Sequence, residues 1–289
     1  MATILNWRVS SSASALHAAA ALVRGEALVD AGLVSVLFEP AAALQAEIQS
    51  AQLPEDRFWR NLLGVSATIE SNRELARLAL VKTIGRGTAT ENVGPRIAAA
   101  VTAVEGVFAR HLPKLADELP LRMGPLREQW EARGPGFLWQ IGTLTEESLL
   151  VEEAEVVVIH PALGGDGAAW LNGNQVRVEG VLANPFQHLP EVVRLGWLIS
   201  QLNLDLPALS ENVQADRLPR VAQLAMLPVA LAAGREVELC LDTPDLLSQA
   251  ITNWRLAADP TVVTQWWETY RDSRPPFAVA LAALDKMLD

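Results

Sequence analysis

EVVVIHPALGGDGAAW (Glu155–Trp170), LNGNQVRVEGVLANP (Leu171–Pro185) and FQHLPEVVRLGWLISQLNLDL (Phe186–Leu206) run on without a gap, and their reading decides the fold. Glu155 to Ile159 is a β-branched run closed by His160-Pro161. Ala168 to Leu171 is short and apolar. Gln175, Arg177 and Glu179 alternate with Val176, Val178 and Gly180, the period of a strand with one buried face. Asn172-Gly173-Asn174 between them is a turn signal and predicts a hairpin. The small sheet over about 155–180 then leads into a helix over about 190–204.

Pro190 suits the first turn of that helix, where its missing N–H leaves nothing unpaired. The residues from there to Leu204 are mostly Val, Leu, Ile, Trp and Gly, and a helix apolar on most sides is a core helix. At about 100° per residue, Gln187, Glu191, Arg194, Leu198, Gln201 and Asp205 project into one arc. The arc has two readings. Glu191 and Arg194 form an i, i+3 pair on a partly solvated face, or the arc lines a cleft, because buried unpaired charge is costly. His188 either caps the helix or faces the same cleft.

The order of these elements resembles zincin-type metallopeptidases, in which an edge strand, a glycine turn and a second strand precede a helix carrying His-Glu-x-x-His. Gly167-Ala168-Ala169-Trp170-Leu171-Asn172-Gly173-Asn174-Gln175-Val176-Arg177-Val178 looks like that edge-strand hairpin, and Pro190-Glu191-Val192-Val193-Arg194 stands where the zinc motif would be. Only the Glu matches. The resemblance spans roughly residues 155–215, and Glu211, 20 positions past Glu191, is close to the spacing of the third gluzincin ligand. Pro and Arg are not zinc ligands, and a guanidinium would itself occupy the cation position beside Glu191. The resemblance therefore implies a zincin-like scaffold without zinc or another cofactor. Its cleft would be lined by His188, Glu191, Arg194, Gln201, Glu211 and Trp170.

The remaining sequence is read as helical. With 289 residues, 50% hydrophobic and 20% charged, a large core is available. The net charge of −11 disfavours nucleic acid and anionic membrane surfaces as partners. Ala13–Val23, behind Ser10-Ser11-Ser12, reads as a Ser-capped amphipathic helix rather than a signal sequence. No uninterrupted apolar run reaches about 18 residues, so no membrane span is expected and a cytoplasmic location is the default. Ala27–Phe38, a segment opened by Pro40, one long pattern over Glu55–Ile84, and Ile97–His111 after Pro95 complete a helical region over 1–119. Pro120, Gly124-Pro125 and Gly134-Pro135-Gly136 punctuate a connector over 120–150, with a weak boundary at Pro120 and the α+β region over 120–289. Pro219–Leu231 is a helix ended by Gly234, and Glu236–Leu241 alternates as a strand would. Asp242-Thr243-Pro244 caps a helix through Trp254, and Pro260–Arg271 and Pro276–Leu288 finish the chain. The sum is a predominantly helical α+β protein.

Other chemistry is thin. No His pair has i, i+4 spacing, Gly164-Gly165-Asp166-Gly167 lacks the Lys-Ser/Thr of a phosphate loop, and no Gly-x-Ser-x-Gly elbow exists. Cys240 is the only cysteine. Trp266-Trp267 cannot share one helix face, so one is expected at an interface and the other near the surface. With Tyr270 and Arg271 they make a candidate contact patch. Two function classes follow: a non-catalytic peptide- or protein-binding module on a zincin-like scaffold, or a helical interaction protein whose sheet is incidental. A hydrolase with an unrecognised site is a distant third.

Overall fold

The computed structural model describes residues 3–241 and 243–288, with the side chains of Thr88 and Ala89 outside the description. Asp242, expected in a helix cap, lies outside the described residues. The fold is α+β, mostly helical, and holds a small mixed sheet. β1 (Ile4–Val9) is followed by five helices: α1 (Ser11–Val23), α2 (Ala31–Ser50), α3 (Glu55–Val65), α4 (Asn72–Ile84) and α5 (Thr88–His111). α6 (Leu115–Leu144) leads to β2 (Glu153–Ile159), β3 (Gly167–Trp170) and β4 (Gln175–Glu179). Then come α7 (Glu191–Ile199), α8 (Pro207–Ser210), α9 (Leu218–Glu236), α10 (Leu246–Asn253), α11 (Pro260–Ser273) and α12 (Phe277–Met287).

The sheet order is β1-β2-β4-β3. β1 and β4 both run parallel to β2, and β3 is an antiparallel edge. The expected hairpin is present: β3 turns into β4 through Leu171–Gly173, with Asn174 left-handed at φ 44°. Asn tolerates that region better than most residues. β1 is a strand that the sequence reading missed. Leu5, Trp7 and Val9 alternate with exposed Ile4, Asn6 and Arg8, which is the same period-two signal.

Two cores flank the sheet. Val156, Val158, Val176 and Val178 pack with α6, α7, α9 and the C-terminal helices. Val157 and Ile159 face Ala13 of α1, behind which α1–α5 build the second core. The helix expected to be amphipathic, α1, is buried on all sides from Ala13 to Ala21. Ser10 caps it as expected, accepting the Ala13 N–H at 3.0 Å. α2 is long and apolar enough to cross a membrane by length and composition. It buries the stripe Leu33, Leu37, Ala41, Leu44 and Ile48, the spacing of a globular core helix.

Several boundaries differ from expectation. The Glu55–Ile84 pattern is two helices, because Ser71 caps a new start at Asn72. The central helix ends at Ile199 rather than Leu204. Ser200 turns its hydroxyl onto the Trp197 carbonyl, and a 3-10 turn at Leu202–Asp205 follows. Glu236–Leu241 is not a strand. α9 reaches Glu236, and the N–H groups of Leu239 and Cys240 both close onto the Gly234 carbonyl.

The largest correction is α6. Its 30 residues pass through Pro120, Pro125 and Pro135, so no linker separates residues 1–119 from 120–289. Proline disfavours helix partly because its ring meets the Cβ of the residue before it. Gly124 and Gly134 have no Cβ, and Gly94 stands before Pro95 inside α5 in the same way.

Trp197 is 2% exposed, donates its indole N–H to the Gln223 carbonyl and stacks on Trp254 at 4.8 Å. Trp197→Ala is expected to cost about 3–5 kcal/mol in urea unfolding. An unchanged midpoint would show that α7 is not central. A Cβ at the adjacent Gly196 would lie 2.1 Å from the Phe137 ring. Gly196→Ala is therefore expected to destabilise by about 1–3 kcal/mol through overpacking.

Candidate functional site

The parallel strands deliver a set of charged groups to their carboxyl ends, where open α/β sheets place ligands. Glu179 ends β4 and is fully buried. Its carboxylate accepts the backbone N–H groups of Leu163 and Gly165 at 2.8 and 2.7 Å, and His17 of α1 binds Oε1 at 2.9 Å. Burial alone raises a carboxyl pKa. Here the His17 contact and the two N–H groups outweigh it and hold Glu179 below the ordinary value. Asp166 lies 3.8 Å from the same His17 nitrogen.

Glu191 and Arg194 come together on α7 as the i, i+3 spacing requires, with Oε1 3.2 Å from Nη2. They do not face an open cleft. Glu191 is 4% exposed and Arg194 1%. The pair is close in distance but poorly aligned, and neither carboxylate oxygen of Glu191 has a hydrogen-bond donor. The guanidinium instead lies over the Trp254 ring at 5.3 Å. Burial pushes Glu191 up to about 7, opposed by Arg194 and reinforced by the charges of Glu179 and Asp166. Gly165 covers the pair at close range: a Cβ there would sit 3.5 Å from Arg194 Nη2 and 3.6 Å from Glu191 Oε1.

The other expected cleft residues are elsewhere. Gln201 is buried just past the end of α7, where its side-chain amide donates to the Trp197 carbonyl. His188 is half-buried in the segment before α7, its Nδ1 without a partner. Glu211 is exposed after α8. Trp170 pairs in register with Gln175, so it faces the opposite side of the sheet from α7. There it packs against Gly64 of α3 and donates to the Arg60 carbonyl. A cavity of about 190 Å³ opens on that side between the Glu155–Gln175–Trp170 row and α3. The expected contact patch is not a surface either: Trp266, Trp267 and Tyr270 are buried in a stack with Phe277, and only Arg271 is exposed. An apolar i, i+3, i+7 pattern over Val263, Trp266 and Tyr270 would have placed Trp266 inward; Trp267 is buried beside Trp266 and Tyr270 in the same core, which one segment alone does not reveal.

Sequence reasoning missed Arg177. Its alternation with valines suggested a solvated face, yet α1 and α3 cover that face and Arg177 is 4% exposed. Its guanidinium stacks on Trp170 at 4.6 Å, and burial lowers its pKa to about 10, so it stays charged at neutral pH. His160 is likewise held low by burial and by Arg122. No cluster of three metal-ligating side chains occurs among the described residues. Comparison with family models, curated proteins and solved structures finds no match.

The pKa of Glu191 carries a pH prediction. Its folded value lies above the unfolded one, so its contribution is favourable at acid pH and is lost as pH rises from about 4.5 to 7. Glu191→Gln is expected to be about as stable as wild type at pH 4.5 and roughly 2–3 kcal/mol more stable at pH 8. Urea unfolding at both pH values tests this; an equal effect at the two would refute it. Arg194→Ala removes the one nearby cation and is expected to cost about 3 kcal/mol at pH 8. In Glu191→Gln, Arg194→Ala should cost clearly less, and a double-mutant cycle measures the coupling.

Proposed function

We propose that this chain is a cytoplasmic, zinc-free binding module that takes an extended peptide along the free edge of β3. The observation that carries the reading is the position of β3. It has one neighbour only, runs antiparallel to it, and lies beside α7. Glu179 donates its N–H to the Asp166 carbonyl, which makes that pair hydrogen-bonded. Antiparallel pairs alternate, so the N–H and C=O groups of Gly167 and Ala169 point away from β4. That is the template on which a strand adds by main-chain hydrogen bonds.

The same arrangement of edge strand and helix supports the resemblance to a zincin-type scaffold. On such a scaffold Arg194 would stand at a ligand position and hold Glu191 in an internal pair. A hydrolytic reading gains nothing from the site, because the Glu191 carboxyl is buried, makes no hydrogen bond and has Arg194 as its neighbour. Purified protein is expected to hold far less than about one zinc per chain after dialysis, since a structural or catalytic site needs at least three good ligands. Elemental analysis at stoichiometry would end the zinc-free reading.

Peptide pairing is tested on β3 itself. Hexapeptides with β-branched residues at alternate positions are titrated against nitrogen-15 labelled protein. The Gly167 and Ala169 amides are expected to shift and to gain exchange protection. Ala169→Pro removes an outward donor without removing a bond to β4; it should weaken binding at least about tenfold, the worth of one or two strand hydrogen bonds. Unshifted Gly167 and Ala169 amides at millimolar peptide would reject the proposal.

A further inference from the structure

Between β4 and α7 the chain crosses the buried pair as a strap, Val181–Leu189. Its ends are fixed. Gly180 donates its N–H to the Ile159 carbonyl at 2.8 Å, and Leu189 is fully buried. Its middle is not: Leu182, Ala183, Asn184, Pro185 and Gln187 are all exposed. Phe186, between them, packs against the core, and two contacts hold the exposed stretch before it. Asn184 Oδ1 accepts the Glu191 N–H at 3.1 Å, and Pro185 rests against Gly165, where a Cβ would come within 2.8 Å of its ring. Gly165 adopts φ +127°, a conformation that L side chains rarely take, so this close approach depends on glycine twice over.

Under the strap lies a carboxyl group in conflict with its surroundings. The groups facing it are Arg194 on α7, Glu179 on β4 and Asp166 in the loop before β3. His17 of α1 binds Glu179 and lies near Asp166. Arg255, after α10, reaches the same loop at the Leu163 carbonyl. His188 belongs to the strap. α6 and α9 meet α7 at Gly196 and Val193, on its far side. One cation is therefore in direct contact with Glu191, and two carboxylates oppose its charge. Neither of its oxygens receives a hydrogen bond, and a buried carboxylate without donors carries the full desolvation cost of its charge.

We propose that Val181–Leu189 is a pH-operated strap, closed over Glu191 when that carboxyl group is protonated and lifted when it ionises. Lifting the exposed Leu182–Pro185 stretch gives up one hydrogen bond and one proline contact, while Phe186, packed against the core, anchors the strap on its α7 side. It admits water to the carboxylate, which relieves the unsatisfied oxygens, and it uncovers Glu191, Arg194 and Gly165 together. The step breaks the carboxyl O–H bond, leaves the electron pair on oxygen and passes the proton to water; no other covalent bond changes. It does not depend on peptide pairing at β3.

The sign follows from linkage. The closed state binds the proton more tightly than the open one, so closure weakens as pH rises through neutrality. Amide exchange of 181–189 in the full-length protein, corrected for the intrinsic base-catalysed rate, reads it directly. Protection is expected to fall at least about tenfold between pH 5.5 and 8.5, up to roughly a hundredfold. Protection in β2 should stay level. Glu191→Gln should stay closed across the range, His188→Gln should behave as wild type, and Asn184→Ala should exchange fast even at pH 5.5. A level wild-type profile, an equal fall in Glu191→Gln, or a fall abolished by His188→Gln would each overturn the proposal. If Glu191→Gln does not fold, the carbon-13 titration of the Glu191 carboxyl group decides. Its midpoint and that of strap exchange must coincide, and separate midpoints overturn the proposal.

Discussion

The carboxylate of Glu179 is the contact on which the arrangement depends. One fully buried group ties three parts of the chain at once: the loop leaving β2 through two backbone N–H groups, β4 through its own backbone, and α1 through His17. Remove the carboxyl group and the N–H groups of Leu163 and Gly165 lose their acceptor in a dry place, which costs more than an ordinary hydrogen bond contributes. His17, with the two backbone donors behind it, explains why the Glu179 carboxyl is held below its ordinary value in the interior while Glu191, with no donor, is driven toward neutrality. Two glutamates close enough to feel each other's charge thus have opposite pKa shifts, and hydrogen bonds to the charged form make the difference.

That contact also joins the two cores. The sheet has four strands, with one face given to α6, α7 and α9 and the other to α1 and α3. Covering both faces would normally favour an apolar run on each strand. β4 departs from this, since Gln175, Arg177 and Glu179 point into the α1–α3 side. Each is matched there in a different way: Gln175 by Glu155, Arg177 by the face of Trp170, and Glu179 by His17 and the loop. The polar row fixes how β4 lies against β2 and β3, because a one-residue slip would send all three groups into the other core.

This row marks the limit of what the chain discloses by itself. The hairpin, the strand at Glu155–Ile159, the apolar central helix and the Glu191–Arg194 spacing were legible, since each depends on neighbours within about ten residues. Burial of Gln175, Arg177 and Glu179 was not, because their cover comes from α1 and α3, more than a hundred residues earlier. Alternation with valine says only that two faces differ, not that one is wet. The same reason hid the inward turn of Trp267. β1 was legible but overlooked. α6 was misread for a local reason: glycine and proline are each read as breaks, but at Gly124-Pro125 and Gly134-Pro135 the glycine removes one of the clashes that disfavour helix before proline.

The fate of the expected cleft shows how one local interaction redirects a larger reading. An arc of polar side chains on a buried helix demands compensation, either from water or from partners. The chain supplies neither in full. Arg194 lies within ion-pair distance of Glu191 but leans on Trp254, so the pair neutralises charge without satisfying hydrogen bonds. Gln201 turns its amide back onto the Trp197 carbonyl, and the pair is left beside Asn184, Pro185 and Gly165. A fully satisfied network would have made this end of the sheet rigid. A fully apolar one would have had nothing to gain from water. The half-satisfied pair lies between those cases, and the connection from β4 to α7 that passes it is exposed from Leu182 to Pro185. Electrostatic conflict beneath such a segment is what the proposed strap would draw on, so that a single proton matters to the conformation above it.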